Sequence, residues 1–360
     1  MKIVEIFPGR VWGGAEQYVL ELGNALTVRG HSVAYVARPS RAVTGRLEGT
    51  VPFTVAEIKG KPTPQAIAQL ADADVVHIHD VHQLRPVMKW VEMSGNTAAK
   101  VVLTRHIARA SRTWPWLRKH FMRIHKMMFV SDLAKEMWLD ANPWMDSGKC
   151  VTVHNSTPAA PLPGTDATSL RAQLGLPENT LLMAYSGRVR KSKGAEVIVK
   201  ALAMLQRLTP ERNWAMVFIG ATKPEGYEAK LRRIALRHGL DPSRLYFTGF
   251  SNNARSLIAQ TDIGVLPSIV RESFGLSVLE FMAAGLPVIT TDNGAQSEFV
   301  TSGQTGLLIT PGHPEELAGA LKRLIENPAE RQRIGQAAQA HYTRHMSYNR
   351  FIDHIITNFS

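Results

Sequence analysis

The chain has 360 residues, 44% of them hydrophobic and 20% charged, with one cysteine, Cys150. Such a composition fills cores rather than leaving the chain disordered, and a lone cysteine excludes an internal disulfide framework and fits a reducing cytoplasm. A net charge of +12 calls for an anionic partner, be it a nucleotide phosphate, an acidic membrane surface or nucleic acid. No apolar run approaches the roughly 18 residues of a spanning helix, and MKIVEIF gives way too soon to Pro8, Gly9 and Arg10 for a secretory signal. The expectation is a cytoplasmic protein, soluble or peripheral on the inner face of the membrane.

In chain order, short Val- and Ile-rich runs alternate with helical patterns. Strands are predicted at Lys2–Phe7, Ser32–Ala37, Val75–His79, Val101–Thr104, Met127–Val130 and Val151–His154. A second series follows at Leu181–Ser186, Ala215–Gly220, Leu245–Thr248, Ile263–Pro267 and Pro287–Thr290. Helices are predicted at Glu16–Arg29, Gly194–Leu208, Glu225–Gly239 and Phe274–Ala284. Strand-then-helix alternation argues for α/β architecture with doubly wound parallel sheets. The pattern restarts after a strand-free stretch carrying Pro158, Pro161 and Pro163, typical of a linker. This gives a first domain over 1–157, a linker over 158–174, a second domain over 175–345 and a final helix in 346–360.

The most informative segment runs from Pro267 to Ile289. It reads as a strand end, a loop and a short helix stopped by Gly285 and Pro287. Free backbone amides near Phe274, Gly275 and Leu276 would point at whatever sits before the helix, which favours an anion. Glu272 lies on the loop, and Glu280 lies about 6 Å farther along the helix at 1.5 Å per residue. Two carboxylates flanking a phosphate site could hold hydroxyls at either end of a diphosphate, a sugar on one side and a ribose on the other. A second loop, Ser186-Gly187-Arg188-Val189-Arg190-Lys191-Ser192-Lys193-Gly194, follows a strand and brings cations toward a phosphate. Arg190 and Lys191 are expected to be solvated. Gly13-Gly14 makes a tight turn after the first strand; it is no G-x-G-x-x-G fingerprint, which counts against a nicotinamide enzyme.

In these segments the chain resembles the family 4 retaining glycosyltransferases (glycosyltransferase group 1), among them enzymes that build bacterial lipopolysaccharide and capsule. The E-x7-E motif of that family aligns on Glu272 and Glu280, and its SGRxxxxKG pattern on Arg188 and Lys193. The resemblance implies a GT-B fold, two Rossmann-like domains facing a cleft, with the acceptor on the first and a nucleotide-sugar, expected to be a UDP-sugar, on the second. It assigns Glu272 to the donor sugar, the amides of Phe274, Gly275 and Leu276 to sugar and phosphate, and Glu280 to the ribose. Arg188 and Lys193 would neutralise the leaving diphosphate, so no metal and no further cofactor is expected. Gly13 and Gly14 match the family's cleft glycine turn. His106, in Thr104-Arg105-His106 at a strand end, takes the role of a catalytic histidine near the reacting sugar, although Ile107 stands where Asp is common. The hinge-like VTVHNST carries Ser156 where the family usually has Gly.

Other readings remain open at this level. His77 and His79 share a strand face with metal-like spacing, and Asp72-Ala73-Asp74 reads as a D-x-D motif, but the latter precedes its strand, the wrong end of a parallel sheet for a ligand. A GT-B epimerase or phosphorylase is the rival enzyme, and a basic membrane- or nucleic-acid-binding module the non-enzymatic rival. No nucleic-acid motif is present, so no such partner is expected. Between Met93 and Ser131 there is no acid but eight Lys and Arg. There Trp114, Leu117, Phe121, Ile124 and Met128 read as the apolar stripe of one helix, with Arg118, Lys119, Arg123 and Lys126 opposite it. That basic face is expected to meet anionic lipid near a lipid-linked acceptor.

Overall fold

The computed structural model describes residues 1–7, 9, 14–56, 62–159 and 169–360. They form two compact units, Met1–His154 with Asn349–Ser360, and Asn155–Tyr348.

The first unit runs β1 (Lys2–Ile6), α1 (Gly14–Val28), β2 (Ser32–Ala37), α2 (Arg41–Leu47), β3 (Phe53–Val55), α3 (Pro64–Ala71) and β4 (Val75–Ile78). It continues with α4 (Leu84–Met93), β5 (Lys100–Arg105), α5 (Pro115–Phe121), β6 (Lys126–Phe129), α6 (Asp132–Ala141) and β7 (Cys150–Thr152). The strand order is β3-β2-β1-β4-β5-β6-β7, with every pairing parallel. Parallel strands need crossover helices, and these start on local signals. Thr63 caps α3 by accepting from the Ala66 amide, with Pro64 following it, and Ser131 caps α6 by accepting from the Ala134 amide.

The sheet's two faces differ. On one, Val4, Ile6, Val36, Val76, Ile78, Leu103, Met127 and Phe129 pack with Leu70, Leu84, Val87, Trp90, Phe121 and Trp138 in a single apolar cluster. Strand side chains alternate, so the residues between these point the other way. That second set includes Glu5, Tyr35, His77 and Thr104, all buried.

The second unit runs α7 (Leu170–Gln173), β8 (Leu181–Ser186), α8 (Ala195–Leu208), β9 (Trp214–Ile219), α9 (Tyr227–Arg237), β10 (Leu245–Gly249) and α10 (Ala254–Ile258). It continues through β11 (Ile263–Leu266), α11 (Leu276–Ala283), β12 (Val288–Thr291), β13 (Leu307–Ile309), α12 (Pro314–Glu326) and α13 (Pro328–His341). Its parallel sheet has the order β10-β9-β8-β11-β12-β13. The last helix, α14 (Tyr348–Phe359), belongs to the first unit from Asn349 onward. There Phe359 meets the His77 ring, Phe351 meets Tyr18, and Arg29 bonds Asp353 at 2.7 Å. In both sheets the winding reverses direction, between β1 and β4 and between β8 and β11. Ligands of open α/β sheets bind beyond the carboxyl ends of strands at such switch points.

Several sequence expectations change. The three-residue edge strands β3 and β13 are too short for a period to be read. The stretch taken as linker contains α7, which Arg171 ties to the Thr180 and Gln260 carbonyls and to Asp262; residues 160–168 lie outside the described residues. The stripe from Trp114 to Met128 is not one helix. The helix stops at Phe121, and Met128 belongs to β6, where His125 and Lys126 have already joined the sheet beside β5. A three-to-four residue spacing that runs on into a strand mimics helical periodicity.

Candidate active site

In the second unit three loops meet at the carboxyl end of the sheet. The first, between β8 and α8, bends at Gly194, whose φ of 81° is left-handed. A Cβ there would stand 1.9 Å from the Pro267 carbonyl oxygen, so only glycine lets this loop lie against the end of β11. The Ser192 carbonyl then accepts from the Ile269 and Val270 amides at 3.0 and 3.2 Å. A third loop, after β12, holds the second from the far side. Thr291 Oγ1 donates to the Ser268 carbonyl at 3.1 Å, Asn293 Nδ2 to the Ile269 carbonyl at 3.0 Å, and the Ala295 amide to the Glu272 carbonyl at 3.1 Å.

These contacts bring two predicted residues together. Lys193 Nζ lies 2.5 and 2.6 Å from the two carboxylate oxygens of Glu272, which is buried. Gly275, at φ 92°, turns the chain into α11, and Leu276 is the first helical residue. The Phe274 side chain is buried against Phe299 at 5.0 Å, so its ring belongs to the core and any ligand role falls to its backbone. Val278, Leu279, Phe281 and Met282 bury the rest of α11, leaving Glu280 as its one acid, half-buried. Arg188 is exposed, with its carbonyl held by the Tyr185 hydroxyl at 2.8 Å. Arg190 departs from expectation: it is half-buried and its Nε is shut off from solvent, whereas Lys191 is exposed. The assembly offers a helix start, two cations and one carboxylate in the interlocked loops and a second carboxylate one turn into α11, a combination suited to a phosphate with hydroxyls on either side.

In the first unit, His106 follows β5 and is half-buried. It belongs to a cluster that the sequence did not reveal. Glu5, wholly buried in β1, faces His77 Nδ1 at 3.0 and 3.1 Å and His79 Nε2 at 2.7 Å. His77 Nε2 meets Thr104 Oγ1 at 2.7 Å, and His79 Nδ1 meets His106 Nε2 at 3.2 Å. The Tyr18 ring stands edge-on to both His79 and His106. Burial pushes the Glu5 carboxyl up, but the charge and hydrogen bonds of His77 and His79 outweigh it and hold it at about 2. Burial and the neighbouring His77 push His79 down to about 4, and burial beside His79 and His77 pushes His106 well below its ordinary value. The donor atoms of Glu5, His77 and His79 lie within 4.8 Å of one another, a metal-like composition, yet every one of them is engaged at hydrogen-bond distance inside a closed core. The one sequence sign of Glu5 is an acid set between the apolar Val4 and Ile6.

Gly14 opens α1, while Gly13 lies outside the described residues. Asp72 and Asp74 sit at the amino ends of the strands, Asp72 pairing with Lys2 Nζ and Asp74 accepting from the Lys2 amide at 2.7 Å. Of the basic residues set opposite the apolar stripe, Arg118 and Lys119 are on α5. Arg123 follows the helix and pairs with Glu92, and Lys126 opens β6 and bonds the Gly148 carbonyl at 3.1 Å. Trp114, Trp116 and Met122 are exposed around α5, which reverses the burial expected for Trp114. Ser156 is buried and donates to the Met346 carbonyl at 2.5 Å.

Comparison with known proteins agrees with this geometry. The model for glycosyl transferases group 1 matches residues 166–341, and that for glycosyltransferase family 4 matches 12–159. The D-inositol 3-phosphate glycosyltransferase of Arthrobacter sp. (strain FB24) is 27% identical over 91% of this chain and 86% of its own. Among solved structures, the HepE protein of Anabaena in complex with UDP-glucose superposes with a TM-score of 0.81 at 21% identity, covering 99% of this chain and 98% of that one. WaaG, a glycosyltransferase involved in lipopolysaccharide biosynthesis, superposes at 0.67 with 17% identity over the whole of both chains. The two parallel-sheet units are the GT-B fold, and the chain belongs to the family 4, group 1 glycosyltransferases.

Proposed function

We propose that this glycosyltransferase takes a sugar from a UDP-sugar and moves it, with retention of configuration and without a metal ion, to a cell-envelope glycan or lipid-linked acceptor. The observation that carries this reading is the Lys193–Glu272 pair beside the start of α11. An arriving diphosphate competes for Lys193 and for the amides from Phe274 to Leu276, releasing the Glu272 carboxylate to the hydroxyls of the sugar. Glu280 holds the ribose, and Arg188 adds positive charge beside the phosphate. As the bond from the anomeric carbon to the phosphate oxygen breaks, the acceptor hydroxyl oxygen bonds that carbon from the same side. Its proton passes to the departing phosphate oxygen, while Lys193, Arg188 and the helix start offset the growing negative charge. His106 keeps the role that the resemblance assigns it, acting on the sugar. The UDP-glucose bound to HepE supports the donor. The name of the Arthrobacter relative favours a second acceptor class, a phosphorylated polyol.

Incubation with a panel of UDP-, GDP- and ADP-sugars, with and without EDTA, tests the reading. One UDP-sugar should be consumed only with acceptor, at the same rate in EDTA, giving a product of unchanged anomeric configuration. Inverted product, epimerised sugar without acceptor, or activity restored only by a divalent ion would each overturn it. We extend the proposal to the exposed Trp114, Trp116, Met122, Arg118 and Lys119 around α5 as a face that docks on anionic lipid, each cation adding roughly 1 kcal/mol at most. Sedimentation with anionic but not neutral vesicles, weakened when Arg118 and Lys119 become Gln, checks it.

A further inference from the structure

Catalytic histidines are useful in proportion to how well their protonation is fixed, because the two ring nitrogens are distinct and the bond made by one decides the role of the other. In the first unit the fixing device is visible. Glu5 is a buried carboxylate and therefore accepts only, so the nitrogens that face it must carry hydrogens. His79 Nε2, 2.7 Å from Glu5, donates to it. A neutral imidazole has one N–H, which leaves His79 Nδ1 a bare acceptor. Its partner at 3.2 Å is His106 Nε2, which must then be the donor of that bond. A neutral His106 whose hydrogen is on Nε2 has none on Nδ1.

We propose that Glu5 and His79 are positioning residues, a relay that holds His106 as the neutral Nε2–H tautomer and so presents Nδ1 as an acceptor for a sugar hydroxyl. The inference rests on the reading of His106 as a residue that acts on the sugar, and it adds the direction of the bond: the substrate hydroxyl donates and His106 accepts. The relay comes from three places in the sequence, β1, β4 and the end of β5, held in register by parallel pairing of Glu5 with His77. The rings around it keep it closed, with Tyr18 of α1 edge-on to His79 and His106 and Phe359 of α14 against His77. Thr104 Oγ1 occupies His77 Nε2 at 2.7 Å and keeps that imidazole in place beside Glu5.

The relay also sets a pH range. The titratable groups facing His106 are His79, His77 and Glu5, with the Tyr18 hydroxyl carried on α1; α14 contributes Phe351 against Tyr18 and no charge to these ring contacts. Arg105, the next residue along, is turned away, with its guanidinium over the Trp138 ring and bonded to the Arg109 carbonyl and Ser111. Burial and neighbouring imidazoles hold both His79 and His106 below their ordinary range, so the same tautomer should persist across neutral pH.

The direct test is long-range ¹H–¹⁵N correlation on the ¹⁵N-histidine-labelled full chain, assigned by comparison with His106→Phe and His79→Gln. His106 should show a protonated Nε2 and a bare Nδ1 from pH 6 to pH 8. A hydrogen on Nδ1, or an imidazolium in that range, overturns the relay whatever the activity. His79→Gln keeps an N–H for Glu5 near the position of Nε2 but removes the acceptor that faces His106. It should leave the His106 tautomers mixed and lower kcat about tenfold, the loss of roughly one hydrogen bond, with donor KM little changed. His79→Asn, whose side-chain oxygen stands near the position of Nδ1, should restore part of that loss. An unchanged His106 spectrum in folded His79→Gln also overturns the relay. The correct tautomer together with full transfer by His106→Phe would leave the relay standing and remove His106 from the proposed mechanism, so the two failures are separable.

Discussion

The two units reach the carboxyl ends of their sheets with polar groups arranged in opposite ways. In the second unit the candidate residues sit on loops, beside glycines that bend the chain, and neighbouring backbone carbonyls and amides hold them. In the first unit they grow from the strands themselves, and side-chain hydrogen bonds inside the sheet's covered face hold them. The loop arrangement leaves the Lys193 side chain 23% and the Glu272 side chain 10% exposed, against none for Glu5 and His79, so a ligand can replace one partner of the pair with itself. The strand arrangement shuts Glu5 and His79 away, so they can only act through His106. The groups proposed to meet ligand and those proposed to set another group's proton thus differ in side-chain burial.

The comparison breaks most visibly at Glu272. Replacing it by Ala should lower kcat about a thousandfold in a protein that still folds, because the carboxylate is on a loop and in the proposed mechanism meets the sugar. Lys193 is left without its carboxylate but keeps some solvent access, so the loss of stability should stay within about 1–3 kcal/mol. Glu280→Ala should act on binding instead, weakening free UDP about tenfold or more in calorimetry with a smaller change in kcat. Wild-type turnover by folded Glu272→Ala would remove the loop arrangement from the chemistry altogether.

A smaller effect tests whether backbone packing positions Glu272. Gly294 has extended backbone, φ −142°, which any residue adopts. A Cβ there would nevertheless stand 2.7 Å from the Glu272 amide nitrogen and 2.9 Å from its carbonyl oxygen. The nearby Gln296 side chain can swing aside, but the Glu272 backbone can only shift. Gly294→Ala should therefore lower kcat about tenfold, since displacements below 1 Å at a reacting group are costly. Binding of UDP should be nearly unchanged. Equal loss of kcat and UDP affinity would point instead to collapse of the whole loop set.

Gly294 also marks where the sequence stops being legible. The Glu272–Glu280 and Arg188–Lys193 motifs could be read because each lies within one strand–loop–helix segment, where spacing alone constrains geometry. Gly294 and Asn293 act on Glu272 and Ile269 from another loop, and no local pattern announces that. The same holds for Glu5, 72 residues before His77 in the chain and its direct neighbour in the sheet. Fold class was readable because two series of apolar runs can be buried only as parallel sheets. The stripe through Ile124 and Met128 failed for the converse reason: a turn can continue a helical spacing into a strand without any helix.

The smallest expected effect concerns stability and separates the buried cluster from the loops. His79 is held at about 4 when folded, against an ordinary 6.5. Glu5 is held at about 2, against an ordinary 4.5. Both folded values are depressed, so on acidification the unfolded chain takes up each proton first and stability falls with pH. The sign is the same for both, but the windows differ. The His79 contribution is complete above about pH 6.5 and is lost down to about pH 4, and the Glu5 contribution is lost between about pH 4.5 and pH 2. Other histidines held low, among them His106 and His341, add to the absolute slope, so the informative quantity is a difference between proteins. Wild type minus His79→Gln, measured as Tm from pH 8 to pH 4, should be flat above pH 7 and shrink steadily below pH 6.5, because the variant lacks the proton that wild type resists. Removing His79 also relieves His106 of a neighbour that holds it low, which steepens the same decline. Parallel Tm curves for wild type and His79→Gln across that range would mean that His79 titrates alike in the folded and unfolded chain, and a difference that grows on acidification would mean that His79 is charged in the folded protein and that the cluster is an ion pair rather than a relay.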